Sequence, residues 1–187
     1  MKPRFVTESG RLEAFSDGVM AVIITIMVLD LRPPHSTDFK ALLEVLPTFA
    51  VYALSFVFIG IYWNNHHHML RATRGIDGRA MWANLHLLFW LSLVPFTTAW
   101  LGRNPTGVGP TALYALVLLL NAVAYTILQR ALLSVNGRDA PFAQAVKADV
   151  KGTASIVLYV AALGLAFVST MASRPGDFTP SLSQNGA

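Results

Sequence analysis

The sequence predicts an all-α protein, built as a polytopic bundle of membrane-spanning helices. Hydrophobic residues make up 54% of the chain and charged residues only 13%, which is about half the charged share of an average soluble domain. Apolar segments of about 20 residues, the length that crosses a bilayer as a helix, recur along the chain. Nothing alternates like the strands of a membrane barrel. A bilayer is therefore the simplest solvent for this much apolar surface.

Five segments are predicted to span the membrane, and turn-forming residues separate them. The spans are 12–31, 41–65, 80–101, 111–134 and 153–173. The first is not expected to be a signal peptide, because its apolar part is too long and no small-residue cleavage site follows it. Pro95 is expected to kink the third span. Residues 1–173 are thus predicted to form the transmembrane domain, and the polar residues 174–187 a disordered tail.

The distribution of Lys and Arg predicts the orientation. The N-terminal segment and the loops after spans two and four hold ten basic residues, whereas the opposite side holds four. By the positive-inside rule the N-terminus is predicted to be cytoplasmic. We expect a multi-pass protein of the cell (inner) membrane with the lipid bilayer as its partner, and no nucleic acid. The chain has no cysteine, so disulfides and thiolate metal sites are excluded.

The first span carries an acid where hydrocarbon is expected. Ser16 and Asp17 lie in its first turns, and a charge at membrane depth costs from about 3 kcal/mol upward. The helical period places other residues on one stripe that points away from these two. The stripe consists of Gly18, Val22, Thr25, Ile26 and Leu29. Asp17 is either a hydrogen-bond anchor between helices or an ion-binding group in a conduction path, and its direction favours the anchor.

Candidate partners for this acid occur in the next two spans. Span two ends in "YWNNHHHML", and span three carries Asn84 and His86 in "MWANLHLLFW". We expect one histidine, such as His66 or His67, to bond to Asp17 or Ser16. A metal site is not predicted, since adjacent helical residues point about 100° apart and three neighbouring histidines cannot all reach one ion. Carboxylates or histidines from elsewhere would be needed.

The segment "RLEAFSDGVMAVIITIMVLDL" resembles the first-helix signature of the transmembrane protein 175 family, whose bacterial and endolysosomal members are potassium-permeable channels. The R-x-x-x-F-S-D motif of that family falls on Arg11, Phe15, Ser16 and Asp17. "YWNNHH" and "ANLHLLFWLSLVPFTTAWLG" also resemble the second and third helices of the family. The resemblance covers roughly residues 11 to 101. Bacterial members usually have six spans, whereas five are predicted here.

The resemblance implies a bacterial homotetramer, with the first helix of each of the four subunits lining a central pore. It implies a hydrophobic constriction at Val22, further apolar pore positions at Ile26 and Leu29, and a hydroxyl layer at Thr25. It also implies a structural network in which Arg11, Phe15, Ser16 and Asp17 pack against His66, His67 and Asn84. No T-V-G-Y-G filter occurs in the sequence, so a ring of backbone carbonyls is not expected to select the ion.

The resulting prediction is a potassium-selective cation channel and not an enzyme, with permeating K⁺ and no cofactor. The alternative is a proton-coupled or proton-permeable transporter that uses Asp17 and a histidine. Asp30, at the end of the first span, is predicted to sit at the outer mouth, where four copies would concentrate cations. Equally, Asp30 could pair with Arg32 or cap a neighbouring helix. For Thr25 the alternative is a hydrogen bond back to the carbonyl four residues earlier.

Overall fold

The structure, a computed structural model, describes residues 9–136. The secondary-structure elements of this part of the chain are all helices, joined by short loops. The helices are α1 (Ser9–Met27), α2 (Leu42–Arg71), α3 (Gly78–Ser92), α4 (Val94–Arg103) and α5 (Val108–Asn136), and 3₁₀ turns occupy Val28–Asp30 and Phe39–Ala41. The predicted fifth span, 153–173, and the predicted tail lie outside the described residues.

Four segments of the described part are long and apolar enough to cross a membrane, by length and composition. They are Ser9–Asp30, Phe39–Arg71, Gly78–Arg103 and Val108–Asn136. These segments correspond to the first four predicted spans. The largest difference is at the end of the second, which continues six residues past residue 65 to Arg71. The three histidines therefore lie on the last turns of α2.

The third predicted span is divided into two helices. α3 ends at Ser92 and α4 begins at Val94, with Pro95 in the first turn of α4. Proline fits this position because its missing N–H is one that a helix start leaves unbonded. The predicted kink is therefore present, and it takes the form of a break just before the proline.

α1 packs against α2, α3 and α4, while α3 and α4 also pack against α5. Met20, Ile23 and Met27 of α1 belong to a single apolar core together with residues of the other helices. Leu91 and Leu128 are completely buried in that core. One face of α1 is thus fixed inside the bundle, and this decides which residues remain on its other face.

α2 and α4 approach each other closely at Gly102. A Cβ atom added there would lie 2.9 Å from Thr48 Cγ2 and 3.3 Å from Thr48 Cα. The Thr48 hydroxyl donates a hydrogen bond to the Gly102 carbonyl over 2.8 Å. Small residues allow such backbone approach between membrane helices, so this crossing requires glycine.

The loop between α2 and α3 is held at both ends. Asp77 caps α3, since its Oδ1 accepts a hydrogen bond from Ala80 N over 3.0 Å. The side chain of Asn136, the last residue of α5, accepts from Arg74 N at 2.9 Å and Gly75 N at 3.2 Å. The same amide donates to Gly75 O at 3.1 Å. The loop is thereby fastened to the end of the fourth span.

Candidate functional site

α1 presents an exposed stripe opposite its buried face. Val22 is 54%, Ile26 46% and Leu29 77% exposed, whereas Met20, Ile23 and Met27 are buried. Gly18 and Thr25 are also exposed. Within residues 9–136, the predicted stripe is therefore the face of α1 that has no intramolecular partner. An apolar helix face of this kind contacts lipid, another chain or a pore lumen.

The end of the stripe departs from an ideal α-helix. Val28–Asp30 is a 3₁₀ turn, which has three residues per turn and a rise of about 2.0 Å per residue. Leu29 is therefore rotated and displaced relative to its predicted position above Val22. Val22 and Ile26, which lie within α1, keep the expected i, i+4 relation.

The Thr25 hydroxyl donates back to its own helix. Its Oγ1 lies 3.1 Å from Ala21 O and 3.0 Å from Val22 O. The alternative that the sequence left open, a back-bond to the carbonyl four residues earlier, is thus present. The hydroxyl proton is used in this bond, but the oxygen keeps its lone pairs on an exposed side chain.

Ser16, Asn84 and His66 form a buried chain of hydrogen bonds that joins three helices. Asn84 Nδ2 donates to Ser16 Oγ over 2.9 Å, and Ser16 Oγ donates to Leu12 O over 2.8 Å. His66 Nε2 lies 2.7 Å from Asn84 Oδ1, and it must donate because a carbonyl oxygen only accepts. All three residues are completely buried. Ser16 is thus linked to His66 through Asn84, and not by the direct bond that was predicted.

Asp17 bonds to a tryptophan and not to a histidine, which corrects the predicted pairing. Trp63 Nε1 donates to Asp17 Oδ1 over 3.0 Å. The reason is the direction of the side chains: His66, three residues after Trp63, points into the bundle towards Asn84, whereas Trp63 lies on the flank of α2 that faces Asp17. Trp63, which was not among the predicted site residues, is therefore part of the network.

His67 contacts the acid one turn before Asp17. Its Nδ1 lies 2.9 Å from Glu13 Oε1, and Arg71 Nε lies 3.5 Å from the same oxygen. Glu13 was not among the predicted site residues. The signal available for it was the spacing, because Glu13 and Asp17 stand at i and i+4 and so share one face of α1.

Arg11 and Phe15, the other members of the motif, lie at the surface of the chain. Phe15 is half exposed. Within this single chain the structure therefore brings Ser16, Asp17, His66, His67 and Asn84 together at the N-terminal end of α1, and it leaves Arg11 and Phe15 outside that group.

Asp30 pairs with Arg103 at the opposite end of the bundle. Arg103 Nη2 donates to Asp30 Oδ1 over 2.8 Å. The partner differs from Arg32, which was one of the alternatives for Asp30, because the end of α4 comes close to the end of α1. Arg32 and Glu44 line the same open cleft of about 360 Å³. Asp30, the residue predicted for an outer mouth, is thus partly neutralised by Arg103.

The chain is similar to known channel proteins. The family model described as "Endosomal/lysosomal potassium channel TMEM175" matches residues 11–95. A potassium channel of Chryseobacterium sp. (strain P1-3) is 45% identical over 158 residues, which cover 84% of this chain and 82% of that protein. The endosomal/lysosomal proton channel TMEM175 of Bos taurus is 39% identical over 80 residues, which cover 34% of this chain and 17% of that protein.

A solved structure has the same fold. The crystal structure of a lysosomal potassium-selective channel TMEM175 homolog from Chamaesiphon minutus superposes with a TM-score of 0.68 and 27% identity, and the match covers 88% of this chain and 91% of that one. The resemblance seen in the sequence is confirmed, since the matched residues include α1 and its motif. With a 45% identical relative aligned over more than four fifths of both chains, this chain belongs to the TMEM175 family.

Proposed function

We propose that this chain forms a potassium-selective cation channel, and that four copies assemble with α1 of each lining a central pore. The observation that carries the proposal is the exposed stripe of Val22, Thr25, Ile26 and Leu29 on a helix whose opposite face is buried. The relative from Chryseobacterium is named a potassium channel, and the Chamaesiphon homolog is described as potassium-selective.

A fourfold axis beside α1 would bring four copies of the stripe together around a central pore. Four copies of Val22 would form a narrow apolar ring, and those of Ile26 and Leu29 would form further rings towards the other end. An apolar ring opposes ion passage, because a cation stripped of water finds no oxygen ligand there. These rings form the gate in our proposal, and no ring of backbone carbonyls is needed.

Thr25 supplies the only hydroxyl on the stripe. Its proton is donated to the helix, so the lone pairs of four Thr25 oxygens would face the pore axis. Oxygen ligands can replace part of the hydration shell of an ion. Potassium loses water more easily than sodium, so a weak oxygen ring favours potassium modestly. The back-bond therefore orients the hydroxyl for this role.

The remaining parts of the proposal follow from charge and composition. The N-terminus lies in the cytoplasm of a bacterial cell and the channel lies in the inner membrane, because the basic residues concentrate on that side. Ser16, Asp17, His66, His67 and Asn84 act as the scaffold that holds α1 in place. Asp30 lies at the outer mouth, where its pairing with Arg103 limits the attraction of cations. Arg11 and Phe15 face the neighbouring copy.

Proton permeation is the second candidate. The observation that favours it is the match to the Bos taurus relative, which is named a proton channel. Asp17 and His67 also lie in one cluster, with ligand atoms within 4.8 Å of each other. Against a relay through these groups, Asp17 is bonded to Trp63, which cannot accept and pass on a proton as an imidazole does.

Reconstitution of the purified chain into planar bilayers tests the two candidates together. We expect unitary current steps, and a reversal potential under opposed KCl and NaCl solutions that shows preference for potassium. With symmetrical KCl and a pH gradient, the reversal potential should remain near zero. A reversal potential that follows the pH gradient would instead establish proton permeation, and transport without unitary steps would exclude a channel of either kind.

A further inference from the structure

One cluster of metal-ligating side chains has no role in the gate or filter. It consists of Glu13 and Asp17 of α1 and His67 of α2, and one ligand atom from each lies within 4.8 Å of the others. Glu13 and Asp17 stand one helical turn apart, so both carboxylates project from the same flank of α1. His67 reaches this flank from the last turns of α2. The donors thus come from two different helices.

We propose that Glu13, Asp17 and His67 form a binding site for a divalent transition-metal ion, with Zn²⁺ as the best match. Two carboxylate oxygens and one imidazole nitrogen are a donor set that Zn²⁺ accepts, with three protein ligands and a fourth position open to water. Calcium takes six to eight oxygen ligands and magnesium requires an octahedral oxygen shell. The imidazole therefore favours a borderline-soft ion over these hard ones.

The contact between His67 and Glu13 supports an ion at this place. His67 Nδ1 is buried and makes no hydrogen bond, although it lies 2.9 Å from Glu13 Oε1. In a neutral ring with the proton on Nε2, the Nδ1 lone pair would face a carboxylate oxygen, and the two acceptors would repel each other. A cation between them removes this repulsion and satisfies both atoms. With a proton on Nδ1 the same 2.9 Å contact is an ion pair, so a metal ion here would take the place of that proton.

Trp63 provides the support that metal ligands require. Its indole Nε1 donates to Asp17 Oδ1, which orients the carboxylate and leaves the second oxygen for an ion. Its ring stacks on His67, with centroids 5.7 Å apart and an interplanar angle of 26°. Outer contacts of this kind fix the orientation of ligands and affect metal affinity by about 10- to 100-fold.

The competing groups near the cluster are weak or already occupied. Arg71 lies 3.5 Å from Glu13, but its side chain is 69% exposed, so it can move into solvent when an ion binds. His66 uses its Nε2 for Asn84 and points into the bundle. His68 is exposed. Only one of the three neighbouring histidines therefore faces the two carboxylates, as helix geometry requires.

An ion held in this way would join α1 to α2. Binding to the folded chain alone raises stability by mass action, so a metal effect on unfolding is expected. The purified full chain in detergent, with any affinity tag removed and after treatment with a chelator, is titrated with ZnCl₂ by calorimetry. We expect one ion per chain and a higher unfolding temperature in the presence of Zn²⁺.

Four variants distinguish this site from other histidines. Glu13→Gln and His67→Gln should each weaken Zn²⁺ binding at least about 10-fold, because even the loss of an outer contact to a metal ligand has an effect of that size. His68→Gln and His86→Gln should bind Zn²⁺ as the parent does. Co²⁺ in place of Zn²⁺ should give the visible absorption of a four-coordinate site in the parent and lose it in Glu13→Gln.

Two outcomes would overturn the proposal. One is a parent chain that binds no Zn²⁺ at micromolar concentration while its unitary currents are intact. The other is binding that survives in Glu13→Gln and is lost in His68→Gln, which places the ion on the exposed histidines. Because Glu13→Gln alters an oxygen without changing side-chain size, it remains informative even if His67→Gln fails to fold.

Discussion

Trp63 Nε1 donates a hydrogen bond to Asp17 Oδ1 over 3.0 Å, and this bond joins the acid of α1 to α2. A carboxylate at membrane depth requires such a partner, since an unpaired charge there is expensive. The neighbouring Ser16 is joined to α3 through Asn84. Ser16 and Asp17 therefore hold α1 against α2 and α3, while the opposite face of α1 carries the exposed stripe.

Removal of the Trp63 donor should loosen this fastening. Trp63→Phe keeps an aromatic ring but loses the N–H, and a hydrogen bond to a charged group contributes about 1.5–3 kcal/mol. Asp17→Asn should have a similar effect and reduce the assembled oligomer. Thermal unfolding and size-exclusion chromatography in detergent measure both. Trp82→Phe, an exposed tryptophan, serves as the control. A stable Asp17→Asn oligomer with altered permeation would instead place Asp17 in the pore.

Asn84→Ala should destabilise the chain more than an average polar substitution. It leaves His66 Nε2 buried without its partner, and an unsatisfied buried group costs about 1–3 kcal/mol. Ser16 Oγ keeps its bond to Leu12 O but loses the donor that joins it to α3. The measurement is the denaturation midpoint of the reconstituted or detergent-solubilised chain. Asn104→Ala, at an exposed position, should have little effect. Equal midpoints for the two variants would contradict a structural role for the buried chain of hydrogen bonds.

The Asp30–Arg103 pair should affect conduction more than stability. Both side chains are partly exposed, and exposed ion pairs contribute about 0–1 kcal/mol. Asp30→Asn should lower inward current and Arg103→Gln should raise it, because one removes a charge that attracts cations and the other removes a charge that repels them. Both effects should disappear in 1 M salt, where the screening length is about 3 Å. Currents that do not depend on ionic strength would remove Asp30 from the outer mouth.

Val22→Asn should raise the resting current. An amide at the apolar ring retains water and offers an oxygen to a passing cation, so the barrier from dewetting falls. Single-channel open probability in planar bilayers measures the change. Val28→Asn, in the 3₁₀ turn that follows α1 and off the stripe, is the matched control. An unchanged open probability would show that the gate lies elsewhere.

Thr25→Val should leave a conducting channel that has a weaker preference for potassium over sodium. Valine keeps the shape of the side chain and removes the oxygen. The bi-ionic reversal potential of the reconstituted channel is the measurement, and Thr25→Ser, which keeps the hydroxyl, is the control. If Thr25→Val retains the parent's reversal potential, selectivity is set at another position, even if Val22 still acts as the gate.

The helices and the exposed face of α1 could be predicted from the sequence, because span length and helical period depend on local residues. The first four spans and the stripe at Val22 and Ile26 were found this way. The hydrogen-bond partners of the polar groups could not be predicted from the sequence. Whether Asp17 meets Trp63 or a histidine, and whether Asp30 meets Arg32 or Arg103, depends on how helices far apart in the chain rotate and cross.

The partner of Glu13 could not be predicted from the sequence either. Its i, i+4 relation to Asp17 is visible in the sequence, but its significance arises only when α2 places His67 beside it. Leu29 was displaced from its predicted position for a local reason, since the helix tightens to a 3₁₀ turn just before the Pro33–Pro34 pair.

The hold of Asn136 on the loop after α2 has a consequence for biosynthesis. This residue is the last of α5, and it bonds to Arg74 and Gly75 about sixty positions earlier. The ribosome synthesises the chain from its N-terminus. The first three spans therefore leave the exit tunnel before Asn136, which bonds to the loop between α2 and α3, has been made. The loop between α2 and α3 therefore lacks its hydrogen bonds to Asn136 during insertion. These bonds form only after the fourth span has been inserted.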